Sequence, residues 1–143
     1  MKKLFVVGAG QMGAGIAQAA AQAGYPVKLS DVNPDFVKRG IASIDKALAR
    51  QVSKGRLEEA AKAEIMGRIT PAAGLQDAAA ADLVIEAVVE SREIKKQIFT
   101  QLEKICQDKA ILASNTSSIP ITEIGGYTNC PQRVIGMHFM NPV

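Results

Sequence analysis

Gly8-Ala9-Gly10-Gln11-Met12-Gly13 has the G-x-G-x-x-G spacing with which a main chain can approach a pyrophosphate. The pattern is weak by itself and gains meaning from its flanks: an apolar run precedes it and an alanine-rich amphipathic stretch follows. Gly8 permits a tight turn, Gly10 a close approach of phosphate to backbone, and Gly13 close packing of helix on strand. A helix opening at Gln11 and Met12 presents free N–H groups and a partial positive charge. Asp31 stands about 20 residues further on, at the end of the second apolar run, where a carboxylate accepts both hydroxyls of an adenosine ribose. The same charge repels a 2′-phosphate. The expected cofactor is therefore NAD rather than NADP, held by Gly8, Gly10, Gln11, Met12, Gly13 and Asp31.

Three further groups of reactive residues each follow an apolar run. Glu90 comes after residues 83–87, with Lys95 one turn into the next helical stretch. Ser114-Asn115-Thr116-Ser117-Ser118 is a dense polar cluster after residues 110–113. His138-Phe139-Met140-Asn141-Pro142 closes the last run. In an open α/β sheet, ligands lie beyond the carboxyl ends of the strands. Glu90, Asn115, Ser117, His138 and Asn141 are thus expected at one sheet edge, beside the dinucleotide.

The elements needed to position these groups are legible as alternating short apolar and longer amphipathic stretches. Strands are expected over residues 4–7, 27–29, 68–70, 83–87, 110–113 and 134–139. Helices are expected over 12–23, ending at Gly24; from Pro34 to the break at Ser53-Lys54-Gly55; over 57–66; and from a Ser91 cap to about Cys106. Continuous apolar runs alternating with helices indicate βαβ units. The handedness of crossovers then favours a Rossmann-type α/β fold: doubly wound, with a mainly parallel sheet and helices on both faces. The two helices between Asp31 and Arg68 exceed one crossover and read as an inserted helical hairpin that projects from the domain.

Bulk composition narrows the classes. With 143 residues, 48% hydrophobic and 22% charged, the chain suits one folded NAD-binding domain over residues 1–143, not a disordered segment. A net charge of +3 is too small and dispersed to argue for nucleic acid. Cys106 and Cys130 form no C-x-x-C pair and lie at no ligand spacing from His138, so neither a metal site nor a disulfide is expected. The apolar start after Lys2-Lys3 imitates a secretion signal, but Gly8, Gly10, Gln11 and Gly13 interrupt it. No run approaches the ~20 apolar residues of a membrane span, and the expected location is the cytoplasm.

The fingerprint, the Asp82-Leu83-Val84-Ile85-Glu86-Ala87 run, Ser114-Asn115-Thr116-Ser117-Ser118 and Gly136-Met137-His138-Phe139-Met140-Asn141-Pro142-Val143 together resemble the 3-hydroxyacyl-CoA dehydrogenases, the bacterial 3-hydroxybutyryl-CoA type in particular. The resemblance covers essentially the whole chain. It implies interconversion of an L-3-hydroxyacyl-CoA and a 3-ketoacyl-CoA with hydride exchange at NAD. It also implies that His138 is the general acid/base, a task suited to imidazole with its ordinary pKa of roughly 6.5. By the same resemblance Ser117 hydrogen-bonds the substrate oxygen, Asn141 and Asn115 lie near the nicotinamide, and Glu90 and Lys95 contact the cofactor ribose. Lys54, assisted by Arg50, meets the CoA portion.

The family carries a glutamate a short way beyond the histidine, then a helical domain for substrate binding and homodimerisation. Neither lies within residues 1–143, so the expectation for this polypeptide alone is NAD binding with little or no turnover. Two other readings stay open on the sequence. One is a stand-alone NAD-binding sensor or regulatory module, which would have no need of a proton-transfer group at His138. The other is a dehydrogenase of small free β-hydroxyacids, which would carry a catalytic lysine that the last segment lacks.

Overall fold

The computed structural model describes residues 2–143. Six strands, β1 (Leu4–Val7), β2 (Val27–Ser30), β3 (Ile69–Pro71), β4 (Leu83–Glu86), β5 (Ile111–Ser114) and β6 (Val134–Gly136), form one sheet in the order β3-β2-β1-β4-β5-β6. Every pairing is parallel. This is the doubly wound Rossmann order, reversing direction of growth between β1 and β4. The register aligns Ser30, Val7, Glu86, Ser114 and Gly136 as a row across the carboxyl edge.

Alternation along the strands sends side chains into two cores. Val6, Leu29, Ile85 and Ala113 face the layer of helices α1 (Gln11–Gln22), α2 (Pro34–Ser53) and α3 (Glu59–Gly67). Phe5, Val7, Val84 and Leu112 face α4 (Arg92–Ile105) and the short α5 (Ile121–Gly125). The helix starts follow from local chemistry. The Asn33 side chain accepts from the Asp35 N–H at 2.8 Å, with Pro34 as first helical residue, and the Ser91 hydroxyl accepts from the Ile94 N–H at 3.3 Å.

Three expectations need correction. The hairpin α2–α3 does not project as a whole. Val37, Ile44, Leu48 and Ile65 are buried in the core beside β2 and β3, and only the tip around Lys54 stands in solvent. Strand β6 stops at Gly136 rather than running to residue 139. β5 ends at Ser114, whose carbonyl takes one last bond from the Met137 N–H, and beyond it no ladder partner remains. α3 starts two residues later than expected, because Leu57 belongs to the turn and packs against the core from there. The five-residue α5 and the 3₁₀ turns at Leu75–Ala78 and Pro131–Arg133 are too short to leave a period in the sequence.

If α2 is core rather than appendage, Leu48→Ala, at a fully buried position, should cost about 3 kcal/mol of stability. In urea unfolding the midpoint should fall while the slope stays constant. A loss within experimental error of zero would mean that the hairpin is not docked as described.

Candidate cofactor and catalytic cleft

Three connected hollows run along the carboxyl edge of the sheet. The first, about 550 Å³, opens at the β1–β4 reversal and is lined by Gly8, Gly10, Asp31, Val32, Val88 and Ile98 among others. The second, about 840 Å³, lies between α1 and α2 and shares Gly10 and Asp31 with the first. The third, about 330 Å³, shares Ala87 and Val88 with the first and Asn141 with the second; it is lined by Met12, Glu90, Asn115, Ser117 and His138. The result is a continuous trench from Asp31 to His138.

The glycine loop is built tightly beneath this trench. Gly8 has φ +104°, and a Cβ there would stand 2.6 Å from the Ala87 carbonyl oxygen on β4's exit. A Cβ on Gly13 would stand 1.7 Å from the Gly8 carbonyl oxygen, so α1 can seat against β1 only because Gly13 has none. Gly10 differs: a Cβ there meets nothing within 4 Å and would project into open space. Gly10 is also the N-cap of α1, with no side-chain cap and no acidic residue in the first turn. The free N–H groups of that turn therefore face the trench without a protein partner competing for them. Asp31 accepts from the Ala9 N–H at 2.8 Å on one oxygen and from the Val32 N–H at 2.7 Å on the other. A carboxylate has about four acceptor positions, so each oxygen keeps capacity for a ribose hydroxyl. Open space at Gly10, an uncapped helix start and a fixed carboxylate fit a dinucleotide.

At the other end, Glu86 and Lys95 form an ion pair of 2.6 Å with side chains 0% and 1% exposed. The Ser114 hydroxyl donates to Glu86 Oε1 at 2.6 Å, and the Val88 N–H donates to Oε2 at 2.7 Å. Lys95 also reaches Glu90 Oε1 at 3.2 Å. Oε2 of Glu90 accepts from both Thr116 at 2.7 Å and Ser118 at 2.6 Å. Partial burial disfavours the Glu90 anion, but the hydroxyls of Ser118 and Thr116 and the ammonium of Lys95 outweigh it and hold the carboxyl at about 2.

The segment that carries His138 is tied down on both sides. The Phe139 N–H donates to Asn115 Oδ1 at 2.7 Å, and Gln11 Nε2 donates to Asn141 Oδ1 at 3.3 Å. His138 itself is exposed to the cleft, and among the described residues its imidazole makes no hydrogen bond or ion pair.

The trench thus gathers Gly8, Gly10, Gln11, Met12, Asp31, Glu90, Asn115, Ser117, His138 and Asn141, all singled out in the sequence, with Gly13 packed below. Arg50 lines the α2 wall of the second hollow. Lys95 does not line the trench; its ammonium is buried behind Glu90. Lys54 lies on the exposed hairpin tip, outside all three hollows. The sequence reading missed the tethers Thr116 and Ser118 and the buried Glu86–Ser114 contact. A glutamate inside the otherwise apolar run 83–87 was the available signal for the last.

Residues 3–143 match the family described as 3-hydroxyacyl-CoA dehydrogenase, NAD binding domain. A probable 3-hydroxybutyryl-CoA dehydrogenase of Bacillus subtilis is 51% identical over 143 residues, all of this chain and 50% of that protein. A 3-hydroxybutyryl-CoA dehydrogenase of Bradyrhizobium diazoefficiens is 52% identical over the same length, 49% of its own. Among solved structures, the (S)-3-hydroxybutyryl-CoA dehydrogenase of Ralstonia eutropha superposes with a TM-score of 0.96 at 42% identity, covering 100% of this chain and 50% of that one. The chain spans about half the length of the relatives it matches.

Two measurements check the geometry. Gly10→Ala should lower the melting temperature only by the small cost of an alanine at the N-cap, since no protein atom opposes the methyl group, yet weaken NADH binding by about tenfold or more, whereas Gly13→Ala should lose much more stability as well. Equal NADH affinity in Gly10→Ala would remove that position from the cofactor cradle. The second measurement is stability against pH. Glu90 titrates at about 2 when folded and near its ordinary 4.5 when unfolded. Its contribution is therefore fully present above about 4.5 and lost as pH falls towards 2. The stability gap between the native protein and Glu90→Gln should close across that window, and a gap independent of pH there would contradict the tethered carboxylate.

Proposed function

Since the chain belongs to the 3-hydroxyacyl-CoA dehydrogenase family and is its NAD-binding domain, we propose that the whole protein interconverts an L-3-hydroxyacyl-CoA and a 3-ketoacyl-CoA, with 3-hydroxybutyryl-CoA as the substrate. The observation that carries this reading is the sharing of one 330 Å³ cleft by His138, Ser117, Asn141 and Glu90, directly beside the glycine loop. A sensor of NAD would gain nothing from a proton-exchanging side chain at that point. The relatives named as 3-hydroxybutyryl-CoA dehydrogenases support the choice of acyl chain.

Gly8, Gly10, Gln11, Met12 and Gly13 hold the pyrophosphate side of the cofactor, and Asp31 takes the adenosine ribose hydroxyls. Glu90, Asn115 and Asn141 hold the nicotinamide side, with Lys95 acting from behind Glu90. When bound, NAD supplies the hydride acceptor for oxidation and, reduced, the donor for the reverse direction. The chain's own residues manage the proton. In oxidation His138 takes it from the 3-hydroxyl; in reduction His138 returns it to the forming alkoxide. Ser117 donates a hydrogen bond to the same oxygen and fixes its place. Arg50, on the α2 wall, and Lys54, at the hairpin tip, offer cations to the phosphates of CoA.

The 143-residue polypeptide alone binds NAD and turns over little or no substrate. Its His138 lies exposed and, among the described residues, no carboxylate bonds the ring; a base of this kind acts efficiently only when held in place. The partner of the whole protein is a second copy, joined through regions outside residues 1–143.

The test is reduction of acetoacetyl-CoA by NADH in the whole protein. His138→Ala should lower kcat by about 10²-fold or more while NADH binding stays intact. Failure of the unmutated protein to turn over acetoacetyl-CoA would refute the substrate assignment, and undiminished turnover by His138→Ala would refute the role of the histidine.

A further inference from the structure

Two hydroxyls of the turn after β5 converge on a single atom. Thr116 and Ser118 both donate to Oε2 of Glu90, at 2.7 and 2.6 Å. The Thr116 hydroxyl also accepts from the Ile119 N–H at 3.0 Å, which fixes its direction. Glu90 is held from behind by Lys95, and Lys95 by the fully buried Glu86. Ser117 sits between the two tethered side chains. Among the described residues its hydroxyl makes no hydrogen bond, and the residue lines the cleft that contains His138.

We infer that Glu90 is a positioning residue for Ser117: by binding the hydroxyls on either side of it, Glu90 fixes the turn so that the Ser117 hydroxyl faces the His138 cleft. An unrestrained turn of small polar residues would sample several conformations, and a serine hydroxyl would spend only part of its time directed at the reacting oxygen. Hydrogen bonds to an ionised carboxylate are about twice as strong as neutral ones, and two of them converge here. The chain Glu86–Lys95–Glu90 thus carries rigidity from the sheet to the Ser117 hydroxyl, which among the described residues of the cleft is left free for substrate. The identity of the oxygen that Ser117 meets rests on the dehydrogenase reading above; the clamp itself does not.

The experiment compares Ser118→Ala, Ser118→Thr, Ser117→Ala and the double variant Ser117→Ala/Ser118→Ala in the whole protein. Ser118 is exposed, so removing its hydroxyl deletes one tether without opening a core. Ser118→Ala should lower kcat for acetoacetyl-CoA reduction by about tenfold with NADH affinity within about twofold of the original, and Ser118→Thr should restore the rate. In the Ser117→Ala background the Ser118 change should have no further effect, because the group being positioned is gone. Additive losses, or full activity in Ser118→Ala, would overturn the inference. If the unmutated protein reduces no 3-ketoacyl-CoA, the dehydrogenase reading fails, and crystal structures decide the clamp. A Ser117 hydroxyl that keeps one unchanged orientation in Ser118→Ala would overturn it; loss of that single orientation would support it.

Discussion

A carboxylate with no exposed surface stands at the centre of the sheet's working edge, and much of the site is arranged around it. Moving Glu86 and Lys95 out of water costs several kcal/mol per ion, and their attraction offsets this only if the remaining acceptor positions are also filled. Two of them are filled, by Ser114 on the neighbouring strand and by the Val88 N–H at the start of the following loop. One residue thereby links β4, β5, the β4–α4 loop and α4. Any shift of α4 along the sheet would strand a buried charge, so the pair acts as a register pin more than as a source of net stability. Glu90, four residues further on, inherits its position from that pin through Lys95.

The parallel ladder supplies the other half of the geometry. Because Ser30, Val7, Glu86, Ser114 and Gly136 form one row, the residues just past the row are delivered side by side. On one flank these are Gly8 and Asp31, on the other Ala87, Asn115 and Met137. The reversal of strand order between β1 and β4 separates the covering helices, and the trench opens there. The glycine contacts then set its depth. Gly8 against Ala87 and Gly13 against Gly8 draw α1 and the loops together, while the vacant direction at Gly10 keeps the floor accessible.

What was legible in the sequence follows from the range of the forces involved. Strand β1, helix α4 and the start of α2 could be placed closely, since apolar runs, the Ser91 cap and Pro34 are local signals. The convergence of Asp31, Glu90, Asn115, Ser117 and His138 on one edge was also readable, because the topology of a parallel sheet implies it. The end of β6 was not, being decided by where its neighbour β5 stops. Nor could the burial of Lys95 be foreseen. The resemblance implied a contact with the cofactor ribose, and only its three-dimensional partner Glu86 turns it inward. Thr116 and Ser118 stood out only as members of a polar cluster, and their bonds to Glu90 were hidden for the same reason: the common acceptor lies 26 and 28 residues away.

Electrostatics divides the labour within the third hollow. Glu90 has about four acceptor positions, and Lys95, Thr116 and Ser118 occupy three. One remains for a hydroxyl of a bound ligand, and a carboxyl held at about 2 accepts without ever donating near neutral pH. Lys95 is enclosed between two carboxylates and does not reach the cleft surface. Asn115 and Asn141 are amides, and the Asn115 carbonyl is already committed to the backbone at Phe139. His138 lines the same hollow and, among the described residues, makes no hydrogen bond or ion pair, while the charges around it are fixed by one another and by the hydroxyls they bind.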